Sequence, residues 1–167
     1  MYLALTDLYR AKWTDAIHEE WMRNVRKDYT DITQAQVERI RELMNAHVRD
    51  CLVTGYEDLV GALALPDPDD RHVLAAAIRA GADVIVTTNL ADFPKETLAK
   101  YGIDAQRPDE FITHLPDLAP DLVCSAAKKE RESSKKPPLR VDQYLESLER
   151  QGLAQTVATL RQFADLI

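Results

Sequence analysis

The sequence predicts an α/β fold with a parallel sheet packed against helices, and three observations predict it. Val84-Ile85-Val86 is a β-branched run, apolar on both faces, which is the pattern of a buried parallel strand. Just before it, Val73, Leu74, Ala77 and Ile78 recur at helical spacing and stop at Gly81, a residue suited to the left-handed turn that ends a helix. Elsewhere the chain alternates amphipathic helical patterns with short apolar strand candidates.

Taken in order, residues 1–11 place Leu3, Leu5, Leu8 and Tyr9 on a rough helical face, as in the tail of a longer helix. Thr14 is a suitable N-cap for a helix over about 15–28, with Ile17, Trp21, Asn24 and Val25 on one face and Glu20 among them. A second helix over about 33–49 carries the stripe Val37, Ile40, Met44 and Val48, with Glu38, Arg39, Arg41 and Glu42 on its solvated side. Cys51–Thr54 reads as a short strand ended by Gly55, and Tyr56–Leu63 as a short helix. The turn cluster Pro66-Asp67-Pro68-Asp69-Asp70 opens the central helix–strand unit. Beyond Pro94, a short helix (95–100) and a short strand (103–106) follow. A helix begins at Pro108 and is interrupted by Pro116. Pro120 restarts one, through about Lys128.

The composition then shifts. Residues 128–140 contain KKERESSKKPPL, charged and then rich in serine and proline, and read as an exposed linker. Two helices over 141–151 and 153–166, divided by Gly152, carry the stripes Tyr144, Leu145, Leu148 and Val157, Leu160, Phe163, Ala164. The expected organisation is a domain over 1–127, a linker over 128–140 and a helical extension over 141–167. Helices so short cannot bury their stripes alone and need a partner surface.

The bulk numbers narrow the function. A chain of 167 residues with 46 % hydrophobic content suits one domain with a real core. A net charge of −7 argues against a broad electrostatic nucleic-acid binder, though not against an enzyme that reaches phosphates through a metal. Cys51 and Cys124 read as buried free thiols of a reducing compartment, which with no secretory pattern gives a cytoplasmic expectation. No apolar run approaches a membrane span.

The residues that could carry chemistry are oxygen donors. Asp70 opens the central helix, where an aspartate also serves as an ordinary N-cap. Asn89 and Asp92 follow the strand exit Thr87-Thr88, where ligands bind in open α/β sheets. An Asx turn closing the strand would explain them equally. Glu20 sits on or near a buried face, where an unpaired carboxylate is costly; exposed, or paired with Arg23 or Arg26, it would carry no chemistry. Asp67 and Asp69 read as turn residues. His18, His47, His72 and His114 are scattered without zinc-site spacing. No Walker loop, G-x-G-x-x-G or G-x-S-x-G occurs. Carboxylates, one amide and threonine hydroxyls suit Mg²⁺ or Mn²⁺.

At IHEEWMRN with Glu20, PDPDDRHVLAAAI with Asp70 and ADVIVTTNLADF with Asn89 and Asp92, the sequence resembles the PIN-domain family. It is similar in particular to the VapC-like toxin ribonucleases of bacterial toxin–antitoxin pairs. The likeness runs from about Leu5 to Leu118. It implies a three-layer α/β/α fold with a parallel sheet, a Mg²⁺ or Mn²⁺ site built from carboxylates, and endonucleolytic cleavage of RNA. In that chemistry the ions activate a water and stabilise charge in the transition state. The resemblance implies Glu20, Asp70 and Asp92 as catalytic metal ligands, Asn89 as a further ligand or orienting group, and Thr87 as a hydroxyl near the site. It also implies an antitoxin partner and a tendency to form homo-oligomers. The family's first strand, with its aspartate, has no counterpart, and Asp7 reads as a surface residue. The expectation is a sheet lacking that strand, weak or no nuclease activity in this 167-residue form, and an open edge that invites association. The alternative is a non-catalytic PIN scaffold that binds an antitoxin or another protein.

Overall fold

A computed structural model describes residues 2–133 and 137–167. The contacts group the chain into two units, one built from residues 10–85 and 89–105, the other from the described residues of 1–9, 86–88 and 106–167.

The first unit begins with α1 (Asp15–Asp28), capped by the Thr14 hydroxyl, which accepts from the Ile17 N–H at 3.1 Å. Thr33 and Gln36 form a capping box at α2 (Gln34–His47). The buried faces differ from the expected stripes. α1 buries His18 and Met22, while Asn24 is exposed. α2 buries Val37 and leaves Ile40 45 % exposed. A polar network draws α1 inward. His18 is fully buried because the Trp21 Nε1–H donates to its Nδ1 (2.8 Å), and its Nε2 meets Asn45 Oδ1 at 2.9 Å. That same oxygen accepts from Trp13 Nε1 at 2.7 Å, so the ring nitrogens of this network all have partners. The strand expected at 51–54 contracts to one parallel bridge, Trp13 to Leu52. Trp13 N–H donates to Cys51 O and Val53 N–H to Trp13 O, both at 2.8 Å.

Next come α3 (Glu57–Val60), a 3₁₀ turn at Pro68–Asp70, and α4 (Arg71–Ala80). Gly81 ends α4 at φ +60°, where its N–H reaches the carbonyls of Ala77 and Ile78. β1 (Val84–Val86) follows, then α5 (Lys95–Leu98) and β2 (Asp104–Gln106). β1 and β2 pair in parallel. Asp104 N–H donates to Asp83 O and Thr87 N–H to Gln106 O, each at 2.9 Å. The fold is α/β, mostly helical with this small parallel sheet. The unit's core joins Leu74, Ala75 and Ala77 of α4 to Ile85, Leu98, Ile103 and Phe93, beside Val53, Tyr56, Leu63 and Leu65. Burying these side chains, each worth about 1.5–3 kcal/mol for the larger ones, fixes α4 and the strand exits on which the candidate site stands.

In the second unit, the helix expected over 1–11 is only a 3₁₀ turn at Tyr2–Leu5, because Asp7 takes a left-handed φ of +59° and breaks it. α6 (Pro108–Thr113), α7 (Leu115–Leu118) and α8 (Pro120–Ser133) are separated at the prolines. α8 runs past Lys128 into the segment expected as a linker, and residues 134–136 of that segment lie outside the described residues. α9 (Val141–Arg150) and α10 (Ala154–Arg161) bury Tyr144, Leu145, Leu148, Val157 and Leu160 against Leu115, Val123 and Cys124. Ala164 lies beyond α10 and is exposed. α10 is pinned by Asp109, whose Oδ2 accepts from Gln155 N–H (2.9 Å) and whose Oδ1 accepts from the Thr156 N–H and hydroxyl (both 2.8 Å). Burial opposes ionisation of Asp109, but these hydrogen bonds outweigh it and hold the carboxyl below the usual aspartate range. Both cysteines are buried free thiols. Among the described residues, no helix is long and apolar enough to cross a membrane.

Candidate metal centre

The site is built on the proline-flanked turn ahead of α4. Asp67 is extended (φ −96°, ψ 117°), and its Oδ1 accepts from the Asp69 N–H at 2.8 Å. From there the chain enters the Pro68–Asp70 3₁₀ turn, in which side chains three apart eclipse one another. Asp67, just before this turn, and Asp70, at its end, bring carboxylate oxygens within 4.8 Å of each other. A second 3₁₀ turn, Leu90–Asp92, follows the β1 exit and delivers Asp92, and the Asn89 side-chain amide donates to Asp92 Oδ2. The result is a cluster in which Asp67, Asp70 and Asp92 each offer a carboxylate oxygen, all within 4.8 Å of one another. Asp67 is exposed and the other two are half-buried.

The electrostatics follow from this crowding. Burial pushes the Asp70 carboxyl up, and the negative charges of Asp92, Asp67 and Glu20 push it further, with His72 opposing. Asp70 occupies the N-cap position of α4 but makes no capping hydrogen bond, so helix capping does not account for its carboxylate. Glu20, half-buried on α1, has Oε2 3.5 Å from His72 Nε2. The cation-forming group it faces is thus His72, not Arg23 or Arg26; the latter donates instead to Gln34 Oε1 at 2.7 Å.

The structure thus brings Asp70 and Asp92 together, sets Asn89 on Asp92, and places the charge of Glu20 within reach of Asp70. Thr87 lies just past β1, where its N–H belongs to the strand pairing, and is grouped with the second unit. Two residues are not singled out by the sequence. Asp67 reads as a turn residue, and it is one, but the tight turn between it and Asp70 also brings their carboxylates together. His72 reads as one of four scattered histidines, and its nearness to Glu20 depends on how α1 packs. All the donors of the cluster are carboxylate oxygens, partly open to solvent, which is a set that fits a hard divalent cation.

Comparison with known proteins found matches to family models and to a curated relative. A family model described as the PIN domain matches residues 3–91. Another, described as the VapC50 C-terminal domain, matches residues 108–162. A Mycobacterium tuberculosis protein named "Putative ribonuclease VapC50" is 52 % identical over 64 residues, 38 % of this chain and 37 % of the relative. The match therefore spans little more than a third of that relative's length. No solved structure matches the chain. With more than half of its residues under one family model, and the acidic turn at the β1 exit in place, the chain belongs to the PIN-domain family, in its VapC-like branch.

Proposed function

We propose that this chain is a metal-dependent endoribonuclease of the VapC-like toxin type, and that Glu20, Asp70 and Asp92, joined by Asp67, hold Mg²⁺ or Mn²⁺. The observation that carries this reading is the meeting of three carboxylates within 4.8 Å around Asp70, whose acidity that crowding weakens. Repelling charges brought together cost stability, and a bound divalent ion would remove that cost. When bound, the cation would supply Lewis-acid polarisation of an RNA phosphate and of the attacking water. The chain's own residues do the rest. Asn89 orients Asp92 through its side-chain amide, and the 3₁₀ turn holds Asp67 and Asp70 in register. The partners on this reading are RNA and a protein antitoxin, as for the family.

The test is cleavage of a labelled RNA in Mg²⁺ or Mn²⁺, with and without chelator, by the wild-type chain and by Asp70→Asn and Asp92→Asn. Each substitution removes a metal ligand and should lower the rate by more than about 100-fold, beyond the loss expected from an outer partner. Cleavage that survives the chelator, or persists at the wild-type rate in Asp70→Asn, would refute the reading.

A further inference from the structure

We infer that His72 is a positioning residue for Glu20, presenting an Nε2–H that holds the Glu20 carboxylate toward the acidic cluster; this rests on the metal-site reading above. The observations are geometric. His72 is in the first turn of α4, two residues after Asp70, and Glu20 is on α1, so the pair ties together two elements far apart in sequence. The separation of 3.5 Å is a loose contact. Glu20 keeps 42 % of its side chain exposed, against 21 % for His72. A glutamate with three rotatable bonds, near enough to Asp70 to repel its charge, would otherwise turn out to solvent, where it loses no hydration and avoids that repulsion. His72 is the group that opposes this.

The two ring nitrogens differ in their surroundings. Nδ1 of His72 is buried and has no hydrogen-bond partner among the described residues. Nε2 is the nitrogen that faces Glu20, so it is the one placed to offer an N–H to that carboxylate. Histidines that orient carboxylates around a metal are an outer layer of such sites, and their loss typically weakens metal binding about 10- to 100-fold.

The experiment is calorimetric titration of Mn²⁺ into the full chain, with thermal unfolding of each metal-free variant alongside. His72→Gln places an amide N–H near the Nε2 position, and His72→Asn places one near Nδ1 instead. His72→Ala and His72→Asn should weaken Mn²⁺ binding about 10-fold, and His72→Gln should restore most of it. In a Glu20→Gln background the same His72→Ala change should have almost no further effect, since the residue it acts through is already altered. A merely structural histidine would lower the metal-free unfolding midpoint along with Mn²⁺ binding and would keep its full effect in the Glu20→Gln background. If wild type binds Mn²⁺ and Asp70→Asn does not, yet His72→Ala binds like wild type, the inference falls and the metal site stands. The inference falls equally if His72→Gln is as weak as His72→Asn, or if His72→Ala keeps its full effect in the Glu20→Gln background. If wild type binds no Mn²⁺, or Asp70→Asn binds it equally well, the metal-site reading itself falls and takes the inference with it.

Discussion

Replacing Asp109 with alanine should destabilise the second unit by about 2–4 kcal/mol, and the structure sets the size of that loss. One carboxylate accepts three hydrogen bonds at the start of α10, from the Gln155 and Thr156 amides and from the Thr156 hydroxyl. Gln155 is exposed, so water can take over its N–H at little cost. Thr156 is only 4 % exposed, so its amide and hydroxyl would lose their acceptor inside the protein. Two stranded buried donors at about 1–2 kcal/mol each account for the range, which starts where the usual cost of losing an N-cap, about 0.5–2 kcal/mol, ends. Asp109→Asn keeps the shape and one acceptor oxygen but loses the charge, so it should cost about half as much. Urea unfolding followed by circular dichroism is the assay. At about 1–3 kcal/mol per molar urea, the alanine variant should lose about 1–2 M in midpoint. The pH dependence gives a second check. The folded carboxyl is held below its ordinary value of 3.8, so its contribution is complete above that value and is lost as pH falls through the lower, folded pKa. Wild type and Asp109→Ala should therefore differ fully near pH 6 and converge in strong acid. A change below about 0.5 kcal/mol at neutral pH, the size of an ordinary surface substitution, would refute the pinning role.

Other outcomes follow from the same contacts. Without metal, Asp70→Asn should be slightly more stable than wild type, by about 1 kcal/mol or less, because it removes a charge disfavoured by burial and by three acidic neighbours; thermal unfolding in chelator reads this, and clear destabilisation would contradict it. Asn45→Ala should cost about 2 kcal/mol and alter tryptophan fluorescence, since it takes the shared acceptor from Trp13 and His18, and an unchanged spectrum would argue against the network. Gly81→Ala should cost about 1 kcal/mol in chemical denaturation. No atom lies within 4 Å of the added Cβ, so the penalty is that of a left-handed φ alone, and a neutral result would mean the turn relaxes.

Local chemistry determined a good deal of this protein. Thr14 caps α1, Gly81 closes α4, and Val84–Val86 forms the strand, because caps, left-handed glycines and β-branched runs act through their immediate neighbours. The acidic residues at the start of α4 and the exit of β1 are legible for the same reason. What tertiary structure decided was which faces are buried and who meets whom. His18 displaces the apolar stripe expected on α1 because Trp21 and Asn45 satisfy its two ring nitrogens, and Asn45, itself held by the Trp13 indole N–H, lies outside its helix. Asp109 reads as a first-turn helix residue, yet it caps a helix 46 positions away. Glu20 reads as a carboxylate needing a partner on its own helix, and meets His72 across the unit. Periodicity registers that a side chain faces inward, but the groups that satisfy a buried polar atom come from distant segments. Only the packing of those segments supplies them.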